Sequence, residues 1–258
     1  MQGNLAEEGA CIYAYATSDI EVAGGTFKEG RSSINGGFLF ARAGSVVKIT
    51  GGNIVNNLAD YRGGGVFCSP PLKTLNSSRV TITGGTFDSN KALELGGALC
   101  THGTTVITVK GGIFKNNTAY YYGGFVFLEE GASISCEGAI VDENRAGDQG
   151  GGIYARNPTW VNSSCNFISN EAPQGAAAYI TNAKNPARFE DISITDNVAF
   201  SGGSVLFVAK SSIFLTNVTF ETSIVIQQDS SNRAVQLDEG STLFGDGCVF
   251  TGWLGDTV

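Results

Sequence analysis

The chain repeats one pattern of hydrophobic and polar positions along almost its whole length. Each unit contains a segment in which β-branched or aromatic residues alternate with polar ones, as from Val80 to Thr83. An aromatic or aliphatic residue follows, a polar residue stands three places later, and a glycine-rich run opens a second apolar segment. Alternation with a period of two predicts β-strands, whereas the spacing of three and four that is typical of helices is absent.

Two positions recur in each unit and are called marks below: the aromatic or aliphatic residue, and the start of the glycine-rich run. The aromatic or aliphatic mark falls at Phe27, Ile54, Phe87, Phe114, Val141, Phe167, Ile194, Phe220 and Phe250. The glycine mark falls at Gly9, Gly36, Gly63, Gly96, Gly123, Gly150, Gly175, Gly202 and, in degenerate form, Asn232. A repeat of several short strands with glycine corners predicts an all-β fold, a right-handed parallel β-helix (solenoid) of about nine coils with roughly 27 residues per coil.

The repeat also defines the domain organisation. It runs from Gly9 to Trp253 in a chain of 258 residues, which leaves no linker and predicts a single domain over 1-258. An insertion near 69-78 is expected to project as a loop from one corner. No capping segment is evident at either end, so we expect a segment of a longer protein, or ends that another chain closes.

A row of asparagines follows from the stacking of the coils. Three places after the mark, six consecutive repeats carry Asn57, Asn90, Asn117, Asn144, Asn170 and Asn197. An Asn side chain tolerates the left-handed backbone of a tight corner, and it carries both a donor and an acceptor. We therefore expect a structural row, called the Asn row below, that bonds along the solenoid and binds no ligand.

A second row lies at the fifth place of the strand that follows each glycine run. Its rings, called the aromatic row below, are Tyr13, Phe40, Phe67, Phe127, Tyr154 and Tyr179, with Cys100 and Leu206 at the same place in other coils. The fourth place is aliphatic and strand side chains alternate between faces, so these rings are expected to form an outward, exposed stripe. Such a stripe predicts a protein interface: self-association, filament neighbours or an adjoining domain. Two alternatives stay open, in which the rings shield one another or fill the core.

Charge and hydropathy disfavour two classes of binding partner, nucleic acids and membranes. The formal net charge of −8 disfavours a nucleic-acid backbone and an anionic membrane surface as partners. No segment is long and apolar enough for a membrane-spanning helix, and the first eight residues lack the basic start and apolar core of a signal peptide. We therefore expect neither nucleic-acid binding nor direct membrane insertion.

The six cysteines and four glycosylation sequons give weaker signals. Cys68 and Cys100, in neighbouring coils, are the candidate disulfide, although alternation points their side chains to opposite faces and free buried thiols are expected for most cysteines. No spacing typical of zinc ligands is present, so neither a metal nor a cofactor is predicted. The sequons begin at Asn76, Asn116, Asn162 and Asn217, at a frequency close to chance.

The alternation of two motifs resembles a known repeat family. Segments such as Gly96-Gly97-Ala98-Leu99 and Phe114-Lys115-Asn116-Asn117 are similar to the Gly-Gly-Ala-Ile and Phe-x-x-Asn repeats of chlamydial polymorphic membrane proteins. Such repeats also occur in predicted surface proteins of algae and protists. The resemblance implies an extracellular or cell-surface β-helix that acts in adhesion or builds a surface structure, with surface glycans as a further candidate partner.

Polysaccharide cleavage is the alternative function, since many β-helices carry it out. Such an active site brings carboxylates together on adjacent coils. Here Asp60, Glu94 and Asp148 occupy shifting places in the repeat, and the single histidine, His102, has no carboxylate partner that the repeat would place beside it. We therefore assign no catalytic residue and favour a noncatalytic structural or adhesive role.

Overall fold

A computed structural model describes residues 1–69, 77–200, 203–222 and 233–252. Every regular element in these ranges is a β-strand, and none is a helix. The prediction of an all-β chain is therefore confirmed.

Most strands are short, and the four longest lie in the second half of the chain. The first sixteen are β1 (Leu5–Glu8), β2 (Ile12–Tyr15), β3 (Asp19–Val22), β4 (Thr26–Lys28), β5 (Arg31–Asn35), β6 (Leu39–Arg42), β7 (Val46–Ile49), β8 (Asn53–Val55), β9 (Leu58–Ala59), β10 (Val66–Cys68), β11 (Arg79–Ile82), β12 (Thr86–Asp88), β13 (Lys91–Ala92), β14 (Leu99–His102), β15 (Val106–Val109) and β16 (Ile113–Lys115). The rest are β17 (Thr118–Ala119), β18 (Val126–Glu129), β19 (Ser133–Asp142), β20 (Arg145–Ala146), β21 (Ile153–Arg156), β22 (Trp160–Ile168), β23 (Glu171–Ala172), β24 (Ala178–Thr181), β25 (Ala187–Thr195), β26 (Val198–Ala199), β27 (Ser204–Ala209), β28 (Ser212–Glu221), β29 (Arg233–Leu237), β30 (Thr242–Asp246) and β31 (Val249–Thr251).

These strands stack into three parallel sheets. Sheet 1 has eight strands in the order β1-β5-β9-β13-β17-β20-β23-β26, and sheet 2 has nine in the order β2-β6-β10-β14-β18-β21-β24-β27-β29. Sheet 3 contains the other 14 strands. The chain visits the three sheets once per turn, with 27 residues between equivalent positions such as Asn90 and Asn117. The fold is therefore a β-solenoid of about eight turns. This number is close to the predicted nine, and it is lower because sheet 1 has no described strand after β26.

Glycine pairs decide how sheet 3 is divided. In each of the first four coils a pair such as Gly84 and Gly85 separates two short strands, here β11 and β12. The φ of Gly85 is +98°, and a Cβ built there would lie 2.9 Å from the carbonyl oxygen of Gly52. A larger residue would therefore be strained at this bend. The next four coils lack the pair, and each has one long strand, namely β19, β22, β25 and β28.

The aromatic mark lies in the core. Phe87 and Phe114 are fully buried, and their rings stack with centroids 4.7 Å apart. The fourth and sixth places of the sheet 2 strands, for example Val126 and Leu128, are also fully buried in this core. Equivalent apolar side chains therefore stack along the interior of the solenoid and hold successive coils together.

Candidate functional site

The Asn row forms one continuous ladder of hydrogen bonds. The Nδ2 of each Asn donates to the Oδ1 of the Asn in the next coil, at 2.9–3.0 Å from Asn57 through Asn170. The backbone N–H of the same residue donates to the same oxygen at 3.0–3.1 Å. The second Nδ2 hydrogen binds the carbonyl of a mark residue, as from Asn117 to Phe87 at 2.9 Å.

The ladder leaves these side chains closed to ligands. Asn57 through Asn170 have no exposed surface, and Asn197 is 6% exposed. The sequence-based explanation of the corner is wrong by one residue, however. The left-handed backbone belongs to the preceding residue, such as Asn116 with a φ of +56° or Ser169 with +51°. That residue turns the chain, and the Asn that follows it is free to point inward.

The aromatic row points away from the core, as alternation predicts, and forms its own cluster. Phe127 and Tyr154 stack with their centroids 5.3 Å apart and their planes 2° from parallel. Phe40 with Phe67 and Tyr154 with Tyr179 repeat the same 5.3 Å spacing. In the eighth coil the row continues at Phe207, which pairs with Tyr179, and not at Leu206 as expected. One extra residue in the preceding turn moves the strand register there.

The expectation of an exposed stripe is wrong for most of this row. Phe40, Phe67, Phe127 and Tyr154 are between 2% and 6% exposed, whereas Tyr13 is 47% exposed and Tyr179 is half-buried. The rings cover one another, and Leu95 and Tyr122 pack over them from the turn before the glycine run. The stripe is therefore a second, outer core in which the rings shield one another, which is one of the alternatives that the sequence left open.

A row of charged side chains borders the aromatic row on sheet 2. His102, Glu129 and Arg156 pair directly in register across β14, β18 and β21. The His102 Nδ1 lies 3.4 Å from the Glu129 Oε2, in poor alignment for a hydrogen bond, and Arg156 forms an ion pair with the other carboxylate oxygen. The expectation that His102 has no carboxylate partner is therefore wrong. The signal was present in the sequence, since the three residues are spaced by 27.

Burial and the charges around His102 lower its pKa. Its pKa lies below the ordinary value because burial disfavours the charged ring and Arg62 repels it, with Glu130 opposing and Arg156 adding to the repulsion. The Glu129 side chain is only 6% exposed and already faces Arg156. A carboxylate in this position orients its neighbours but presents little surface to a substrate.

The cysteines pair differently from the expectation. Cys68 and Cys100 are free and buried, one in the main core and one in the outer core, because alternation sends them to opposite faces. The disulfide joins Cys136 and Cys165, whose Cα atoms are 5.7 Å apart. A register shift after Glu137 brings them together, since this coil has 26 residues between its marks at Val141 and Phe167.

The remaining predicted positions are dispersed. Asn116, Asn162 and Asn217 are exposed, whereas Asn76 lies outside the described residues, as does most of the predicted insertion. Asp60 forms an ion pair with Arg31 at 3.2 Å. Within the described ranges, no group of three or more His, Cys, Asp or Glu side chains is placed to hold a metal ion.

Comparison of the chain with protein-family models, with curated proteins and with solved structures gives no match. Among the described residues, no helix is long and apolar enough to cross a membrane.

Proposed function

We propose that this chain is a noncatalytic structural or adhesive β-solenoid of an extracellular or cell-surface protein. It supplies a stiff scaffold, and its outer surface carries the contacts with other proteins or with glycans. The resemblance of its repeats to those of polymorphic membrane proteins points to the same role.

The observation that carries this proposal is the Asn row. In most coils the sequence repeats one polar side chain, and every donor and acceptor of that side chain from Asn57 to Asn170 is used within the solenoid. Phe40, Phe67, Phe127 and Tyr154 of the aromatic row are buried as well. The residues that recur in each coil therefore connect one coil to the next, as in solenoid proteins that act as long, stiff scaffolds.

Two further observations favour an extracellular location. The Cys136–Cys165 disulfide is of a kind that persists in oxidising compartments and is rare in the cytosol. The sequons at Asn116, Asn162 and Asn217 begin at exposed side chains, which a glycosyltransferase could reach. We propose that these sites are glycosylated if the chain is secreted by a eukaryotic cell.

Labelling of intact cells tests the proposal. An antibody raised against the folded chain is applied to source cells before and after permeabilisation, with a cytosolic protein as the control. We expect surface labelling without permeabilisation. Labelling that requires permeabilisation in the same way as the control contradicts a cell-surface location.

A carbohydrate-processing enzyme is the second candidate, and the His102–Glu129 pair is the observation that favours it. An imidazole and a carboxylate on the outer face of a β-helix could move a proton. The test is product release from a panel of neutral and acidic polysaccharides, with and without calcium. Release by the natural chain that is lost in Glu129→Gln would establish the enzyme and overturn the noncatalytic proposal.

A further inference from the structure

One turn of the solenoid differs from the others by carrying three consecutive tyrosines. Tyr120, Tyr121 and Tyr122 connect β17 to β18. Tyr120 is 62% exposed and Tyr121 is 44% exposed, although both rings are large and partly apolar. The two rings meet edge to face with centroids 4.8 Å apart, so each ring fixes the orientation of the other.

The next coil leaves a groove beside these rings. Gly147 and Asp148 follow Tyr120 and Tyr121 by one coil, as the hydrogen bond from the Asp148 N–H to the Tyr121 carbonyl at 2.9 Å establishes. A Cβ built on Gly147 would collide with the carbonyl oxygen of Tyr120, so a residue without a side chain lets the two coils approach here. The groove is lined by Thr118, Ala119, Tyr120, Tyr121, Arg145, Gly147 and Asp148.

The third tyrosine lies behind the polar wall of the groove. Tyr122 turns toward the outer core and stacks on Tyr154 with centroids 4.6 Å apart. Burial and the nearby Asp148 carboxylate raise the pKa of Tyr122. Asp148 is exposed, and its carboxylate has acceptor capacity for a ligand.

We propose that the groove between Tyr120, Tyr121 and Asp148 binds a neutral pyranose unit of a glycan. The C–H face of a sugar ring packs on the exposed tyrosine rings, and neighbouring sugar hydroxyls donate to Asp148. The inference rests on the proposed adhesive function and gives it a ligand class and a place.

Charge decides between a neutral and an anionic glycan. Among the described residues that line the groove, Arg145 is the one cationic side chain, and its Nη1 lies 3.5 Å from the Glu171 Oε2. The chain as a whole has a formal net charge of −8. An anionic sugar would therefore meet Asp148 and a negative surface with no free counter-charge in the groove.

Calorimetric titration of the natural chain tests the site with defined probes. The probes are cellohexaose, maltohexaose, mannohexaose and laminarihexaose, with a galacturonic acid hexamer and decaproline as the other ligand classes. We expect saturable binding of at least one neutral hexasaccharide, weakened about tenfold or more in the Tyr120→Ala/Tyr121→Ala variant. Asp148→Asn keeps the size of this exposed side chain and removes its charge, so it should weaken the same binding without altering the melting temperature.

Tyr61→Ala is the matched control. Tyr61 is 49% exposed and occupies the same turn position as Tyr121 two coils earlier, as hydrogen bonds through Glu94 establish. This variant should bind as the natural chain does. Equal weakening by Tyr61→Ala, preference for the acidic hexamer or decaproline, or no binding of any neutral probe would overturn the site. Reducing ends are measured in the same samples, because only cleavage of a probe would contradict the noncatalytic function itself.

Discussion

One oxygen atom of Asn144 accepts two hydrogen bonds from Asn117. The backbone N–H of Asn117 lies 3.0 Å from the Asn144 Oδ1, and the Asn117 Nδ2 lies 2.9 Å from it. Asn144 in turn donates back to the carbonyl of Phe114 and forward to Asn170, at 2.8 and 3.0 Å. Each Asn therefore bonds the coil before it and the coil after it, inside a region that water does not reach.

Replacing Asn117 with Ala should lower the free energy of unfolding by about 2–4 kcal/mol, since it removes the bond to the Phe87 carbonyl and the two bonds that Asn117 accepts from the backbone N–H and the Nδ2 of Asn90. Urea denaturation measures the change. Asn162→Ala is the control, because Asn162 is exposed, and it should change stability by less than about 0.5 kcal/mol. Equal stability of the two variants contradicts the structural role.

Replacing Phe127 with Ala should cost about 3 kcal/mol, as for a buried core ring, even though Phe127 lies outside the main core. Tyr13→Ala, at the exposed end of the same row, should cost less than about 1 kcal/mol. Denaturation of both variants checks this. If Phe127→Ala costs no more than Tyr13→Ala, the aromatic row is an exposed stripe after all.

Stability should rise with pH through the range in which His102 loses its proton. The pKa of His102 is lowered by burial and by Arg62, so the folded chain binds fewer protons than the unfolded chain just below the ordinary value of about 6.5. The free energy of unfolding therefore increases as pH rises through that window. His102→Gln should remove this part of the increase. If the free energy of unfolding changes with pH in the same way for the natural chain and the variant, His102 is not the group that causes the increase.

Thiol counting tests the disulfide. Without reductant, the denatured chain should contain four free thiols, and reduction should raise the number to six. In the folded chain Cys68 should resist alkylation, because burial raises its pKa to about 12. The Cys136→Ala/Cys165→Ala variant should be less stable by about 3 kcal/mol. Six thiols before reduction would contradict the pairing.

The sequence predicts the fold well because the repeat is carried by residues that contact one another. Phe87, Phe114 and most of the Asn row recur at a spacing of 26 or 27 residues, with one step of 33 from Asn57 to Asn90 across the predicted insertion. The register alone also places Glu129 opposite His102, although this pairing was not expected from the sequence. The residues that stack on one another in successive coils can thus be identified from the sequence period alone, without knowledge of the turns.

Burial and local register depend on turns that the period does not describe. Leu95 and Tyr122 cover the aromatic row, yet nothing in their spacing reveals that they fold over it. The Cys136–Cys165 pair depends on a register shift in a coil that is one residue short. The period places Asp148 one coil after Tyr121, but it does not reveal that the rings of Tyr120 and Tyr121 stay exposed beside it.

A double-mutant cycle across Asn117 and Asn144 tests the central claim most directly, namely that the repeated polar residues act together to join the coils. The free energy of unfolding is measured for the natural chain, Asn117→Ala, Asn144→Ala and the double variant. Because both single changes remove the bond from the Asn117 Nδ2 to the Asn144 Oδ1, the double variant should lose less than the sum of the two, with a coupling of about 1 kcal/mol or more. Strict additivity would mean that the two side chains stabilise the fold independently and would contradict the ladder.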